Sequence, residues 1–258
     1  LKTRQFSLLL RGGKGKQKNA RGKMNLFYAT EIAEGLLRLD ADEAHHCAQV
    51  LRYKPGDELY ATDGQGGFFR ARLIETSKKQ CLAQAEETQR EYGRRPFRLH
   101  LGIAPTKNIS RLEWLLEKAT EIGIDEITPL QCEHSERARL RPERLEKILL
   151  SATKQSLKAY LPRLNELVPL KQFLAEQRGA SGQQFIAHLG EGVKGHLKHN
   201  YQPGQDVCIL VGPEGGFSTA EILASQEAGF LPVSLGPGRL RTETAGLVAC
   251  AALNLLNE

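Results

Sequence analysis

The spacing of hydrophobic and polar positions changes once along the chain, near Pro96. Before that point apolar residues come in short runs bounded by turns. Leu36–Leu39 predicts a strand, and 42–50 a short helix capped by Asp40 or Asp42. Residues 57–64 and 67–74 flank Gly64-Gln65-Gly66-Gly67 and predict a hairpin. A last strand, 80–85, is expected to close a small barrel, with 86–96 as the linker. Beyond it strands and helices alternate. Residues 97–104 predict a strand. A helix follows from about Asn108, with Ser110 and Glu113 spaced as a capping box. Its stripe is Leu112, Leu115, Leu116, Ala119 and Ile122, and Gly123 is its stop. Strands are predicted at 126–130, 184–189, 207–211 and 232–235. Helices are predicted at 142–160, from the Ser218/Glu221 capping box to Gly229, and at 243–256. The last is apolar nearly all round, which calls for burial in a core or against a partner subunit. Alternating β and α predict an α/β domain with a largely parallel sheet covered on both faces.

Composition adds little to this picture, and charge needs dividing. The chain of 258 residues is 40% hydrophobic and 26% charged, as a globular protein is. It has no apolar run of the roughly 18 residues a membrane span needs. Five cysteines (Cys47, Cys81, Cys132, Cys208, Cys250) are odd in number and form no Cys-x-x-Cys pair. That spacing argues against a disulfide framework or zinc site and fits a reducing cytoplasm. Residues 1–23 hold eight basic residues and no acid, so without them the formal charge falls from +6 to −2. We read 1–23 as a tag or non-native extension before Met24, with a basic RNA-binding arm as the alternative. Overall pI therefore does not argue for nucleic acid.

Two stretches carry the candidate chemistry. Leu210-Val211-Gly212-Pro213-Glu214-Gly215-Gly216-Phe217-Ser218 and Leu235-Gly236-Pro237-Gly238-Arg239-Leu240-Arg241-Thr242-Glu243-Thr244-Ala245 each pass from an apolar run through a Gly/Pro turn into a helix. In an α/β sheet such turns lie at the carboxyl ends of strands, where ligands bind. Glycines there let a ligand approach the main chain closely. No Lys-Ser/Thr follows, so a P-loop is disfavoured. Gly190-Glu191-Gly192-Val193-Lys194-Gly195 fits G-x-G-x-x-G literally. Neither the long helix nor the distal acid of a dinucleotide fold follows it, so it reads as a glycine-rich loop.

The paired turns resemble those of the SPOUT class of RNA methyltransferases, in particular the 16S ribosomal RNA uracil-N3 methyltransferase family. The likeness runs from Met24 to the end. It includes Lys118-Ala119-Thr120-Glu121-Ile122-Gly123-Ile124 with Ile127-Thr128-Pro129-Leu130, and Val50-Leu51-Arg52 with Pro55-Gly56-Asp57 in a PUA-like segment. The resemblance implies a PUA-like RNA-binding barrel over 24–92 and a SPOUT domain with a C-terminal trefoil knot over 96–258. It also implies S-adenosylmethionine as methyl donor, a homodimer through the SPOUT domain, and 16S rRNA or the small ribosomal subunit as partner. Implied cofactor contacts are Leu189, Gly190, Gly212, Pro213, Glu214, Gly215, Leu235, Gly236, Leu240, Thr242 and Thr244.

The chemistry of uracil N3 suggests further roles. Removing the imide proton spreads charge onto the flanking carbonyls, which a preorganised arginine would stabilise. Arg241 is the first choice and Arg137 the second. Gly238 stands where the family has an arginine, so Arg239 also competes to face the substrate. Glu214 and Glu243 are candidate carboxylates for the proton, although Glu243 in a first helical turn could serve the dipole alone. Arg139, Arg141, Arg144 and Lys154 on the basic helix, with Arg52, are candidate RNA contacts; a solvated charged face is the plainer alternative. No metal is expected, since His196-x-x-His199 has no third ligand beside it. Alternative readings are a SPOUT enzyme acting on a ribose 2′-hydroxyl, and a catalytically silent RNA-binding assembly factor.

Overall fold

The computed structural model describes residues 24–77, 79–190 and 193–258; the basic extension 1–23 lies outside the described residues. The chain divides into two compact units, residues 24–63 with 67–90, and Gly64–Gly66 with Glu91–Glu258.

The first unit is a closed five-stranded barrel. Strands β1 (Leu26–Ala33), β2 (Leu36–Leu39), β3 (Glu58–Thr62), β4 (Phe68–Thr76) and β5 (Cys81–Gln89) follow the order β1-β2-β5-β4-β3. Closure comes from β1 running parallel to β3, Leu26 opposite Tyr60. The expected last strand, β5, joins β4 to β2 and so completes the ring. It also runs on to Gln89, so the expected linker begins later than residue 86. Period-two alternation fills the interior: Phe69, Ala71 and Leu73 of β4 are buried. Arg70 and Arg72 point outward and pair with Glu58 (3.1 Å) and Glu86 (2.6 Å). Asp40 caps helix α1 (Ala41–His45), which loosens into a π turn at His46–Val50.

The second unit is a parallel sheet between helices. Its strands are β6 (Leu99–Ile103), β7 (Glu126–Gln131), β8 (Arg163–Leu164), β9 (Val168–Pro169), β10 (Gln183–Ala187), β11 (Val207–Val211) and β12 (Leu231–Val233). The order is β12-β10-β11-β6-β7-β8, with β9 beside β7. Helices α2 (Ile109–Ile122), α3 (Pro142–Gln155), α4 (Leu170–Gln177), α5 (Leu197–Asn200), α6 (Thr219–Glu227) and α7 (Thr242–Leu255) connect and cover the strands. Every residue of β11 is buried. Val207, Ile209 and Val211 join the core with Leu112, Leu115, Leu149, Ala249 and Leu253, while Cys208 and Leu210 join Leu170, Phe173 and Phe230 on the other face. A strand buried on both faces reads as an uninterrupted apolar run, as Val-Cys-Ile-Leu-Val does.

Several element boundaries differ from expectation. Asn108, not Ser110, caps α2, its side chain accepting from Ser110 N at 3.1 Å. Glu113 instead pairs with Arg144 at 2.6 Å. Ile122 ends the stripe 37% exposed, and Gly123 stops the helix at φ 139°. Helix α3 ends at Gln155 rather than near residue 160, because Leu157 turns to φ 55°. The helix Leu170–Gln177 and the short strands β8 and β9 were not expected. The Ser218/Glu221 capping box forms in full. The last helix buries Gly246, Ala249, Cys250 and Leu253 within the chain, while Leu255 stays 67% exposed.

Candidate functional site

In a parallel sheet all carboxyl ends lie on one side, and a cleft opens where the strand order reverses. Here β6 leads outward to β7 and β8, and the chain then returns to β10 and β11 on the other side of β6. The loops after β10, β11 and β12 enclose a cavity of about 460 Å³. It lies within the 300–1,000 Å³ typical of small-molecule sites. Its lining includes Gly212–Gly216 on one side, and Leu235, Gly236 and Gly238–Leu240 on the other. Gly216 (φ 77°) and Gly236 (φ 144°) hold conformations that side chains disfavour. A Cβ on Gly212 would meet the Phe217 ring at 3.0 Å, and one on Gly215 would meet His134 Cβ at 3.0 Å. Thr242 ties the two turns together by donating from Oγ1 to Gly212 O at 3.0 Å. Arg239 donates across the mouth to Glu214 O at 3.3 Å.

Of the residues singled out from the sequence, Leu189, Gly212, Pro213, Glu214, Gly215, Leu235, Gly236, Leu240 and Thr242 line this cavity. Gly190 and Thr244 are outside its lining. Strand β10 ends at Ala187, two residues before the expected end, so Ala187, His188 and Leu189 reach the wall instead. On α7 the residues that line it are Thr242 and Ala245, one turn apart; Thr244 lies between them on the helix. Phe217 and Ile222 also line it and had no signal of their own, being ordinary apolar residues brought in by the fold. Burial pushes the half-buried His188 imidazole below its ordinary value, so the ring is neutral near pH 7.

The candidate arginines separate. Arg239 lines the cavity, while Arg241 is exposed at the N-cap position of α7. Arg137 is spent on the main chain, donating to Thr106 O (3.1 Å) and Lys107 O (2.6 Å). The carboxylates separate too. Glu214 lines the cavity and accepts from Lys107 N at 3.0 Å. Glu243 is buried off the cavity, with Arg111 3.8 Å away. Arg139 and Arg141 are exposed beside α3, Arg144 is engaged with Glu113, and Lys154 is half-buried. Arg52 is exposed on the barrel at φ 59°. His196 and His199 stack edge to face with ring centres 6.3 Å apart. Among the described residues no three His, Cys, Asp or Glu side chains are grouped to hold a metal ion. No helix among them is long and apolar enough to cross a membrane.

Comparison with known proteins gives this geometry a class. Residues 93–254 match the model of an RNA methyltransferase domain, and residues 39–86 that of an RNA methyltransferase PUA domain. A parallel α/β sheet with a glycine-rich cleft, following a PUA barrel, thus defines an RNA methyltransferase. The chain is similar to a probable rRNA-methyltransferase from Porphyromonas gingivalis of known structure (44% identity, TM-score 0.82, covering 91% of this chain and 98% of that one). It is also similar to the ribosomal RNA small subunit methyltransferase E of Neisseria gonorrhoeae, solved bound to S-adenosyl methionine (28% identity, TM-score 0.79, 91% and 98%). The protein of that name from Synechocystis sp. is 33% identical over 88% of this chain and 76% of its own length. The chain belongs to the ribosomal RNA small subunit methyltransferase E family.

Proposed function

We propose that this chain methylates N3 of a uridine in 16S ribosomal RNA, with S-adenosylmethionine as donor. The observation that carries the reading is the cavity between the 212–217 and 235–242 turns. Its size suits a nucleoside-sized molecule, and its glycines let a flat adenine ring approach the main chain closely. The Neisseria relative was solved with that cofactor bound. When bound, the cofactor supplies an electrophilic methyl group on a sulfonium. The chain's own residues do the rest. The main chain of Gly212–Gly216 and Leu235–Leu240 fixes the donor's position, and Leu189 and Phe217 exclude water from it. Arg241, with Arg239 beside it, stabilises charge on the uracil carbonyl oxygens. Glu214, at the cavity wall, accepts the imide proton. Much of the rate is then alignment of nucleophile and methyl.

The PUA-type barrel over 24–92 and the basic face at Arg139, Arg141, Arg144 and Lys154 are proposed to hold the RNA, with the chemistry in 96–258. The C-terminal knot and the homodimer, covering the exposed side of α7, belong to the same reading.

The test is methyl transfer from labelled S-adenosylmethionine to small ribosomal subunits lacking the native modification, followed by nucleoside chromatography. Label in 3-methyluridine is expected; label in a 2′-O-methyl nucleoside overturns the assignment. Arg241→Ala should lower kcat about 100-fold while the cofactor Kd stays within about 3-fold, a difference of under 1 kcal/mol.

A further inference from the structure

Glu221 stands outside the cavity, yet its carboxylate joins two loops of the site. Oε2 accepts from Ser218 N at 2.9 Å, which closes the capping box of α6 and fixes the exit of the 212–217 turn. Oε1 reaches across the sheet end and accepts from Glu133 N at 2.8 Å, in the loop after β7. The next residue, His134, donates from Nδ1 to Gly216 O at 3.0 Å; the hydrogen belongs on Nδ1 because a carbonyl only accepts. Three residues beyond, Arg137 donates to Thr106 O and Lys107 O, and Lys107 N returns to Glu214 Oε1 at 3.0 Å. The circuit is closed. It runs from Glu214 through Lys107, Arg137, the 133–134 segment and Glu221 to Ser218, and back along the chain to Glu214.

A capping box needs only one of the two carboxylate oxygens. The second is therefore available for work beyond the helix terminus. We infer that Glu221 is a positioning residue for methyl transfer, holding the 132–137 loop in register with the 212–217 turn. The inference rests on the proposed function and deepens it. Glu221 touches neither ligand; it acts through Glu133, Gly216 and the main chain around them. Only a carboxylate of this length satisfies both amides. Glutamine offers one acceptor oxygen and turns an NH₂ toward the other N–H donor. Aspartate is one methylene too short to span both.

The experiment compares Glu221→Gln, Glu221→Asp and Ser218→Ala with the wild-type chain. Four quantities are read: thermal midpoint, S-adenosylmethionine Kd by calorimetry, kcat and KM on ribosomal subunits, and hydrogen exchange of the 132–137 amides. Ser218→Ala removes the local cap alone. It should lower the midpoint and leave kcat within about 2-fold, since no site loop shifts. Both Glu221 variants should lower kcat about 10-fold or more, because misplacement well under an ångström is costly to a transfer reaction. Exchange at 132–137 should rise about 10-fold in both, with a midpoint loss no larger than that of Ser218→Ala. Wild-type exchange and kcat in Glu221→Gln would overturn the inference. So would equal losses of kcat in Ser218→Ala and Glu221→Gln at equal midpoints. A wild-type protein that binds no cofactor counts against the proposed function instead; the exchange comparison still decides whether Glu221 joins the loops.

Discussion

At the scale of single residues, the cleft is defined as much by missing side chains as by those present. Gly212 is the sharpest case, because a methyl group there would press on the ring and the amide of Phe217 at 3.0 and 3.2 Å. Gly212→Ala should displace Phe217 and raise the S-adenosylmethionine Kd about 10-fold, roughly 1.4 kcal/mol, as read by calorimetry. Gly238→Ala makes a useful control for the fold. No atom lies within 4 Å of the added Cβ, so its thermal midpoint should match wild type. These glycines were legible in the sequence because backbone demands leave a residue signature: Gly and Pro directly after an apolar run. Ala187, His188 and Phe217 were not, since their place in the wall depends on where β10 ends and how the loops converge. The role of Glu221 was half legible. Its spacing from Ser218 announces a capping box, but the bond to Glu133 exists only in three dimensions.

Among the elements, local signals marked starts and stops well when one residue type does the work. Gly123 and the Ser218/Glu221 pair are examples. They failed where two candidates compete, as Asn108 and Ser110 do for the cap of α2. They also failed where periodicity outlasts the helix, as past Gln155. Strand pairing was less legible still. Nothing in the runs of the barrel says that β1 closes on β3 in parallel. The contact between α2 and α7 turns on a further small residue, Gly246, whose added Cβ would meet Leu115 at 2.9 Å and Ile103 at 3.1 Å. Gly246→Val should overpack this seam and destabilise the chain by about 1–3 kcal/mol, measurable by urea unfolding. It would also shift the start of α7, where Thr242 holds Gly212 O.

For the molecule as a whole, charge and pH give two expectations. If the basic helix tracks phosphates, replacing Arg139, Arg141 and Arg144 together with Gln should weaken RNA binding and flatten its dependence on salt. Affinity and salt slope equal to wild type would show that face to be merely solvated. Stability should fall in mild acid. Burial lowers the His100 pKa, with Glu126 opposing and Arg98 and Arg163 adding to the shift. A base whose folded value is depressed contributes stability in full above its unfolded value, about 6.5. That contribution is lost as pH falls through the lower, folded value. The urea midpoint should therefore hold from pH 8 to 7 and decline below 6, with His100→Gln removing part of the slope. A last consequence concerns time rather than geometry. Strand β11 lies between β10 and β6 and pairs Val207 with Leu99, yet it is among the last strands of the chain to be made. Until it emerges from the ribosome, β6 and β10 each present a bare edge, and the turns that wall the cleft, which follow β11 in the chain, are not yet made. Contacts so distant in sequence form slowly, so a nascent chain has a long interval in which a chaperone or a second nascent chain can meet those edges.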